Sequence, residues 1–210
     1  MLWTLAVGRF LTNCYVIACD DKLETIIIDP GFDDEAEAER VNACIKANSL
    51  KPKAVVNTHG HPDHTCGNAI AKTYDVPIMI HKDDAHLTGI LGKNIAHAFG
   101  LKNFSPPADI LLNDGDSILF GNNKLSVIHT PGHSQGSILL LGKNSVYTGD
   151  TLFAGSIGRT DFPESSDVQM KTSLEKLKKL PDELAVYPGH GPATTLEIEK
   201  RENPFLTMFL

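Results

Sequence analysis

Asn57-Thr58-His59-Gly60-His61-Pro62-Asp63-His64 puts three imidazoles and a carboxylate into eight residues. The run before it, Ala54-Val55-Val56, reads as a short buried strand, and the Gly60-His61-Pro62 turn stops any continuation into strand or helix. The cluster is therefore expected on a tight loop at a strand end, where neighbouring side chains splay toward different points. His59 and His61 lie two apart and converge on one ion. Asp63 and His64 come from the next half-turn and point toward a second ion beside the first. Neutral imidazole and carboxylate are donors that zinc and iron accept. A single histidine beside a turn is more often a surface or satisfied core residue. Four candidate ligands in six residues, bracketed by strand and turn, make metal binding the better reading.

Upstream, Cys14–Ala18 and Thr25–Ile28 are β-branched runs separated by Asp20-Asp21-Lys22, which reads as a hairpin. The second strand ends in Asp29-Pro30-Gly31. Asp29 is either a turn former or an acceptor for the other ring nitrogen of a ligand histidine. From Asp33 to Asn48 the pattern is helical, with an acidic first turn and a stripe of Val41, Cys44 and Ile45. A helix over about Gly67–Tyr74 and a strand over Pro77–Ile80 complete a strand–helix rhythm that implies a partly parallel sheet. Residues 82–113 are the least regular part, broken by Gly89, Gly92, Gly100 and Phe104-Ser105-Pro106-Pro107. They read as packed connections, or as a lid or substrate wall.

Downstream, Ser117–Phe120, Lys124–Ile128, Ser137–Leu141 and Ser145–Thr148 are strands at short spacing, the pattern of a second, mainly antiparallel sheet. Ser166–Gln169 is a capping box, and Met170, Leu174 and Leu177 form the buried stripe of the helix it starts. Ala185–Tyr187 is a last strand, and Glu197–Arg201 reads as helix. Three of these strands end in candidate ligands: His133 after Pro131-Gly132, Asp150 after Gly149, and His190 after Pro188-Gly189. Each is weak alone; together, in matching settings, they extend the first cluster.

The chain has 210 residues, 41% hydrophobic and 21% charged, with a net charge of -7. That is the composition of an α/β domain with one substantial core. An acidic balance argues against nucleic acid, which wants a basic surface. The N-terminus shows no basic leader with a long apolar run, and no stretch is long enough to span a bilayer, so a cytoplasmic location without membrane contact is expected. The cysteines (Cys14, Cys19, Cys44, Cys66) lack C-x-x-C spacing and are expected as free thiols. Cys66 is expected as a small buried filler, although it lies two residues past His64. A homo-oligomer is left open.

The order H-x-H-x-D-H, then His, Asp and His, with this strand pattern, resembles the metallo-β-lactamase fold superfamily from the first hairpin to His190. The resemblance implies an α/β fold, an αββα sandwich of two mixed β-sheets flanked by helices, with the metal site at one edge of both sheets. It implies that His59, His61 and His133 hold one metal, that Asp63, His64 and His190 hold the other, and that Asp150 bridges them. Thr148–Phe153 and Gly158–Phe162 are similar to the short members of the glyoxalase II group, hydroxyacylglutathione hydrolases. The chain stops 20 residues after His190, so one domain over 1–210 is expected, without their helical C-terminal domain. Where the long enzymes place a Lys and a Tyr on the glycine carboxylate, this chain has Arg159 and Asp161; where they place another Tyr, it has Pro192. Arg159 is the candidate substrate clamp.

The implied activity is hydrolysis of a thioester such as S-lactoylglutathione, a small-molecule substrate. Two divalent ions, zinc first and iron or manganese as alternatives, would share a bridging hydroxide that Asp63 orients. Asp63 and Asp150 are then the catalytic carboxylates. A mono-iron persulfide dioxygenase shares the same histidine motifs and the Gly158–Phe162 segment. It would use His61 or His59, His133 and Asp150. Hydrolysis of another ester, a lactone or a phosphodiester is a further alternative.

Overall fold

The structure, a computed structural model, describes residues 1–207. Strands β1 (Leu2–Val7), β2 (Thr12–Ala18) and β3 (Glu24–Ile28) form an antiparallel meander. Helix α1 (Glu35–Ala47) starts at Asp34, whose side chain accepts from the Glu37 amide, and it carries the chain back so that β4 (Lys51–Val56) pairs parallel with β3. Helices α2 (Pro62–Thr65) and α3 (Ile70–Tyr74) lead to β5 (Ile78–His81), parallel to β4. A 3-10 helix (Lys82–Leu87) and helix α4 (Gly89–Ala98) follow, and β6 (Ile110–Leu112) adds parallel to β5.

The second sheet begins with β7 (Ser117–Phe120), β8 (Asn123–His129), β9 (Ile138–Leu141) and β10 (Ser145–Gly149), paired antiparallel in sequence order. Helix α5 (Asp167–Lys178) is capped by Ser166 accepting from the Gln169 amide. It returns the chain so that β11 (Ala185–Pro188) lies parallel to β10. Strand β12 (Thr194–Thr195) and helices α6 (Leu196–Glu202) and α7 (Pro204–Thr207) end the described chain. Each sheet has six strands in sequential order. No helix among the described residues is long and apolar enough to cross a membrane.

Side-chain alternation explains the layering, because successive residues of a strand face opposite ways. Tyr15, Ile17, Ile26, Ile28 and Val56 point inward and meet Val127, Ile138, Leu140 and Tyr147 of the facing sheet. Their neighbours Val16, Ile27 and Val55 point outward under Val41 and Ile45 of α1. On the far side Leu139, Val146 and Val186 are covered by Met170, Leu174 and Leu177 of α5. Both faces of both sheets are covered, so β2 and most of β3 read as continuous apolar runs. The result is the expected αββα sandwich of two mixed sheets.

Two local expectations change. Pro62 does not block a helix but opens α2, since its fixed φ and missing N–H suit a first helical position. Residues 82–113 are largely regular. The glycines that seemed to break α4 serve packing, and a Cβ on Gly92 would lie 2.1 Å from the Leu87 carbonyl oxygen. Strands β1, β6 and β12, which no strong alternation announces, complete the sheets. All four cysteines are free thiols.

Backbone hydrogen bonds stitch the sheets together at one edge. The Asn13 amide of β2 donates to the Gly189 carbonyl (2.8 Å), and the Ile138 amide of β9 donates to the Thr58 carbonyl (2.8 Å). The candidate ligands lie at this edge.

Candidate metal centre

Every ligand loop leaves the end of a strand. The loop after β4 and the first turn of α2 carry His59, His61, Asp63 and His64; the ends of β8, β10 and β11 supply His133, Asp150 and His190. Nitrogen and oxygen atoms of His59, His61 and His133 fall within one small cluster. Those of Asp63, His64 and His190 form another, and Asp150 groups with His59 and His64. Asp150 lies between the two trios. Its Oδ1 is 3.3 Å from His64 Nε2, and its Oδ2 is 3.5 Å from His133 Nε2 and 3.6 Å from His190 Nε2.

The outer ring nitrogen of each of the five histidines has an oxygen acceptor. His59 Nδ1 faces Thr58 Oγ1 (3.3 Å), whose own hydrogen goes to Asp29 Oδ2 (2.6 Å). His61 Nε2 donates to Glu164 Oε1 (3.2 Å), and His64 Nδ1 to Asp29 Oδ2 (3.0 Å). His133 Nδ1 donates to the Arg159 carbonyl (2.8 Å), and His190 Nδ1 to the Phe10 carbonyl (3.1 Å). In the neutral tautomers these acceptors select, the form a metal ion binds, all the inner nitrogens carry lone pairs. Those lone pairs face one another: His61 Nδ1 is 2.8 Å from His133 Nε2, and His64 Nε2 is 3.2 Å from His190 Nε2. His59 Nε2 and Asp150 Oδ1 are buried without a hydrogen-bond partner. Converging bare acceptors are unfavourable unless a cation lies among them, so the donor set fits divalent metal ions.

Burial alone would weaken proton binding at His64 and His190. Asp150, Asp63 and Asp29 outweigh it at the first and Asp63 and Asp150 at the second, so both rings hold a proton firmly and ligation requires a cation to displace it. Burial lowers the proton affinity of His59, and the neighbouring His64, His61, His133 and His190 lower it further, so it is neutral and ready to ligate. Burial would raise the Asp150 carboxyl, but His64, His133 and His190 outweigh it and hold the group below the usual carboxylate range. The same balance, dominated by His64 and His190, holds Asp63 low. Space is also tight. A Cβ on Gly189 would lie 2.2 Å from Asp150 Oδ1 and 2.7 Å from His64 Cε1.

Asp29 lies against a candidate ligand, His64. Held at φ +49°, it accepts from the Thr58 amide (2.8 Å), the Thr58 hydroxyl and His64 Nδ1. Arg159 lies at the mouth, but its Nε and Nη2 are engaged by Asp161 at 2.6 and 2.8 Å, and its guanidinium carbon sits 4.4 Å over the Phe162 ring. Cys66 is turned away from the centre: its thiol donates to the Phe32 carbonyl (3.3 Å), and it packs with Ala96 and Leu101.

Two supporting residues escape sequence reasoning. Asp84, fully buried in the 3-10 helix, accepts from the Gly60 amide (2.7 Å), the Gly136 amide (2.6 Å) and the Ser134 hydroxyl (2.6 Å). It thereby ties the His59–His61 loop to the His133 loop. In sequence, Lys82-Asp83-Asp84 looks like an exposed charge run. Glu164, held low chiefly by its hydrogen bond with His61, follows Pro163 in a stretch with no periodic signal. His81, Asp83 and His129 also cluster, but the two rings stack at 4.0 Å and 15° and so cannot aim at one point. His129 Nε2 already donates to the Gln135 carbonyl (2.8 Å). His86 and His97 are exposed and remote from the described clusters.

Residues 7–190 match the family model of the metallo-beta-lactamase superfamily. The chain is 36% identical over 210 residues to the hydroxyacylglutathione hydrolase GloC of Haemophilus influenzae, covering 96% of each chain. It is 34% identical over 215 residues to the probable metallo-hydrolase YqgX of Bacillus subtilis, covering 100% of this chain and 99% of the relative. Among solved structures it is similar to BLEG-1, a B3 metallo-beta-lactamase (TM-score 0.88, 36% identity, 99% and 100% covered). It is also similar to TTHA1623 in a di-iron-bound form (TM-score 0.86, 36% identity, 97% and 100% covered). With the five histidines and two carboxylates at one edge of an αββα sandwich, the chain belongs to the metallo-beta-lactamase superfamily.

Proposed function

We propose that this metal-dependent enzyme is a binuclear thioesterase of the glyoxalase II kind, hydrolysing thioesters such as S-lactoylglutathione. One observation carries the reading: five histidines and Asp63 converge as two trios, with Asp150 between them. A centre for one ion would leave one of those trios unused. His59, His61 and His133 would hold the first metal and Asp63, His64 and His190 the second, with Asp150 a donor available to each. Zinc is the first candidate, and iron or manganese suits the same donors.

When bound, two such ions supply an electrophile for the carbonyl oxygen and a water acidified toward neutral pH. The chain's own groups do the rest. Asp63, with Oδ2 3.3 Å from His190 Nε2, accepts a hydrogen bond from the attacking water and fixes its direction. Asp29, Glu164 and the Arg159 carbonyl hold the imidazole planes, so no reorientation is needed as charge develops. Water oxygen adds to the thioester carbon, one of its protons passing to solvent, and the C–S bond breaks. The thiolate leaves with the bonding pair and takes up a proton, and the acyl group departs as carboxylate. A thiolate leaves readily and needs little acid assistance.

The test is elemental analysis of freshly purified, untagged protein, together with hydrolysis of S-lactoylglutathione. Two ions per chain and turnover abolished by chelation support the reading. One tightly held iron, with oxygen uptake on glutathione persulfide and no thioester hydrolysis, overturns it.

A further inference from the structure

The mouth of the centre is furnished with aromatic rings, Phe10 exposed and Phe99 and Phe162 half-buried. The turn joining β1 to β2 carries Phe10 at 40% and Leu11 at 66% exposure. Leu11 is held at φ +55°, a left-handed conformation uncommon for a bulky side chain. The turn is fixed from both ends. The Leu11 amide donates to the Gly8 carbonyl (3.1 Å), while the Gly8 amide donates to both Glu37 carboxylate oxygens (2.9 Å each). The same turn presents the Phe10 carbonyl to His190. Strain kept beside a chemical centre is a pointer to function.

From Phe10 the rings continue across the opening. Phe99, at the C-terminal end of α4, meets Phe10 edge-on with centroids 6.3 Å apart, and Phe162 lies 6.3 Å beyond Phe99. Phe162 then rests its ring against His61 (5.1 Å) and His133 (6.0 Å). Three segments far apart in sequence thus build one arc from the His190 side to the His61 side. Guanidinium groups cover both ends, Arg9 over Phe10 (5.3 Å) and Arg159 over Phe162. None of the four tyrosines contributes a hydroxyl here. Tyr147 and Tyr187 stack and Tyr15 meets both edge-on, with Tyr15 and Tyr147 buried between the sheets, and Tyr74 bonds Asn42.

We infer that this arc is an acyl-group site, and that the preferred substrates are thioesters of apolar acids carrying a flat, preferably aromatic, group close to the carbonyl. Partly exposed apolar side chains bordering a polar centre are a common setting for ligand contact. A ring laid in the arc would meet aromatic faces and edges in the offset and T-shaped arrangements that such rings prefer. The α-hydroxyl of a lactoyl group gains nothing from it. This inference rests on the thioesterase reading and narrows it.

The test compares S-phenylacetylglutathione with S-acetylglutathione on the metal-loaded full chain. Each kcat/KM is divided by that ester's rate of hydroxide-catalysed hydrolysis, and calorimetric binding of the products phenylacetate and acetate is measured in parallel. The phenylacetyl ester is expected to be favoured by at least about tenfold, and phenylacetate to bind more tightly than acetate. Phe10→Ala and Phe99→Ala, which alter no candidate ligand, are expected to bring the ratio toward unity while metal content and circular dichroism stay as in the parent. Equal use of the two esters, or a ratio that survives both substitutions, overturns the inference and leaves the thioesterase reading standing. Hydrolysis of neither ester overturns both.

Discussion

Replacing Asp84 tests how the centre is held. Its carboxylate is the shared acceptor for two amides and a hydroxyl, all buried, on the two loops that carry His59, His61 and His133. Asp84→Ala leaves three buried donors unpaired, each costing about 1–3 kcal/mol. The loops would relax and admit water, and the burial cost of the carboxylate itself disappears, so a net loss of roughly 3–5 kcal/mol is expected, as for breaking one side of a buried polar cluster. Against a typical total of about 5–15 kcal/mol this is a large fraction. Asp84→Asn keeps the volume but turns an amide NH2 toward donors, and about 2–3 kcal/mol is expected. The assay is urea denaturation of the metal-free chain, where the midpoint should fall with little change in slope. Chelator competition on the loaded chain should show metal affinity lower by roughly 10–100-fold. If Asp84→Ala stays within about 1 kcal/mol of the parent and keeps its metal affinity, the tie between the loops is not what positions the histidines.

Gly189→Ala would push a methyl group into Asp150 Oδ1 and the His64 ring, so purified protein should contain well under its normal metal content by elemental analysis while remaining folded. Glu164→Ala removes the acceptor of His61 Nε2, whereas Glu164→Gln keeps an amide oxygen there. Titration with zinc should show roughly 10–100-fold weaker binding for the alanine variant and a smaller loss for glutamine. Asp150→Ala should lose both metal retention and several orders of magnitude of hydrolytic rate; near-normal turnover would refute its bridging place. Cys66→Ala should leave metal stoichiometry unchanged and lower stability by about 1 kcal/mol in denaturation, the small cost of a minor cavity.

The fold was legible where apolar runs or helical periodicity are strong. Cys14–Ala18, Thr25–Ile28 and the capped helix from Ser166 stand out because each must bury a face, and the structure places them as β2, β3 and α5. The candidate ligand clusters were legible because His133, Asp150 and His190 each follow a strand and a Gly or Pro-Gly turn, and the other four donors crowd into six residues after β4. What escaped has a physical reason in each case. The glycines of α4 look like breakers because close approach to Leu87 is invisible in one dimension. Pro62 can end one element or begin another, and the local sequence does not distinguish these. Asp84 and Glu164 act on residues 24 and 103 positions away, so nothing nearby marks them. Arg159 has a chemistry suited to carboxylates, but only the structure shows that Asp161 has taken it.

The two backbone stitches between the sheets make the metal edge readable from a distance. The amide of Asn13 hangs on the carbonyl just before His190, and that of Ile138 on the carbonyl just before His59. Neither residue touches a candidate ion, yet each senses one ligand loop from the opposite sheet. Their nuclear magnetic resonance signals therefore form a pair of built-in gauges, one for each metal position. Stepwise loading should shift the Ile138 resonance when the His59 trio fills and the Asn13 resonance when the His190 trio fills. The order in which the two signals move would give the filling order without a substrate.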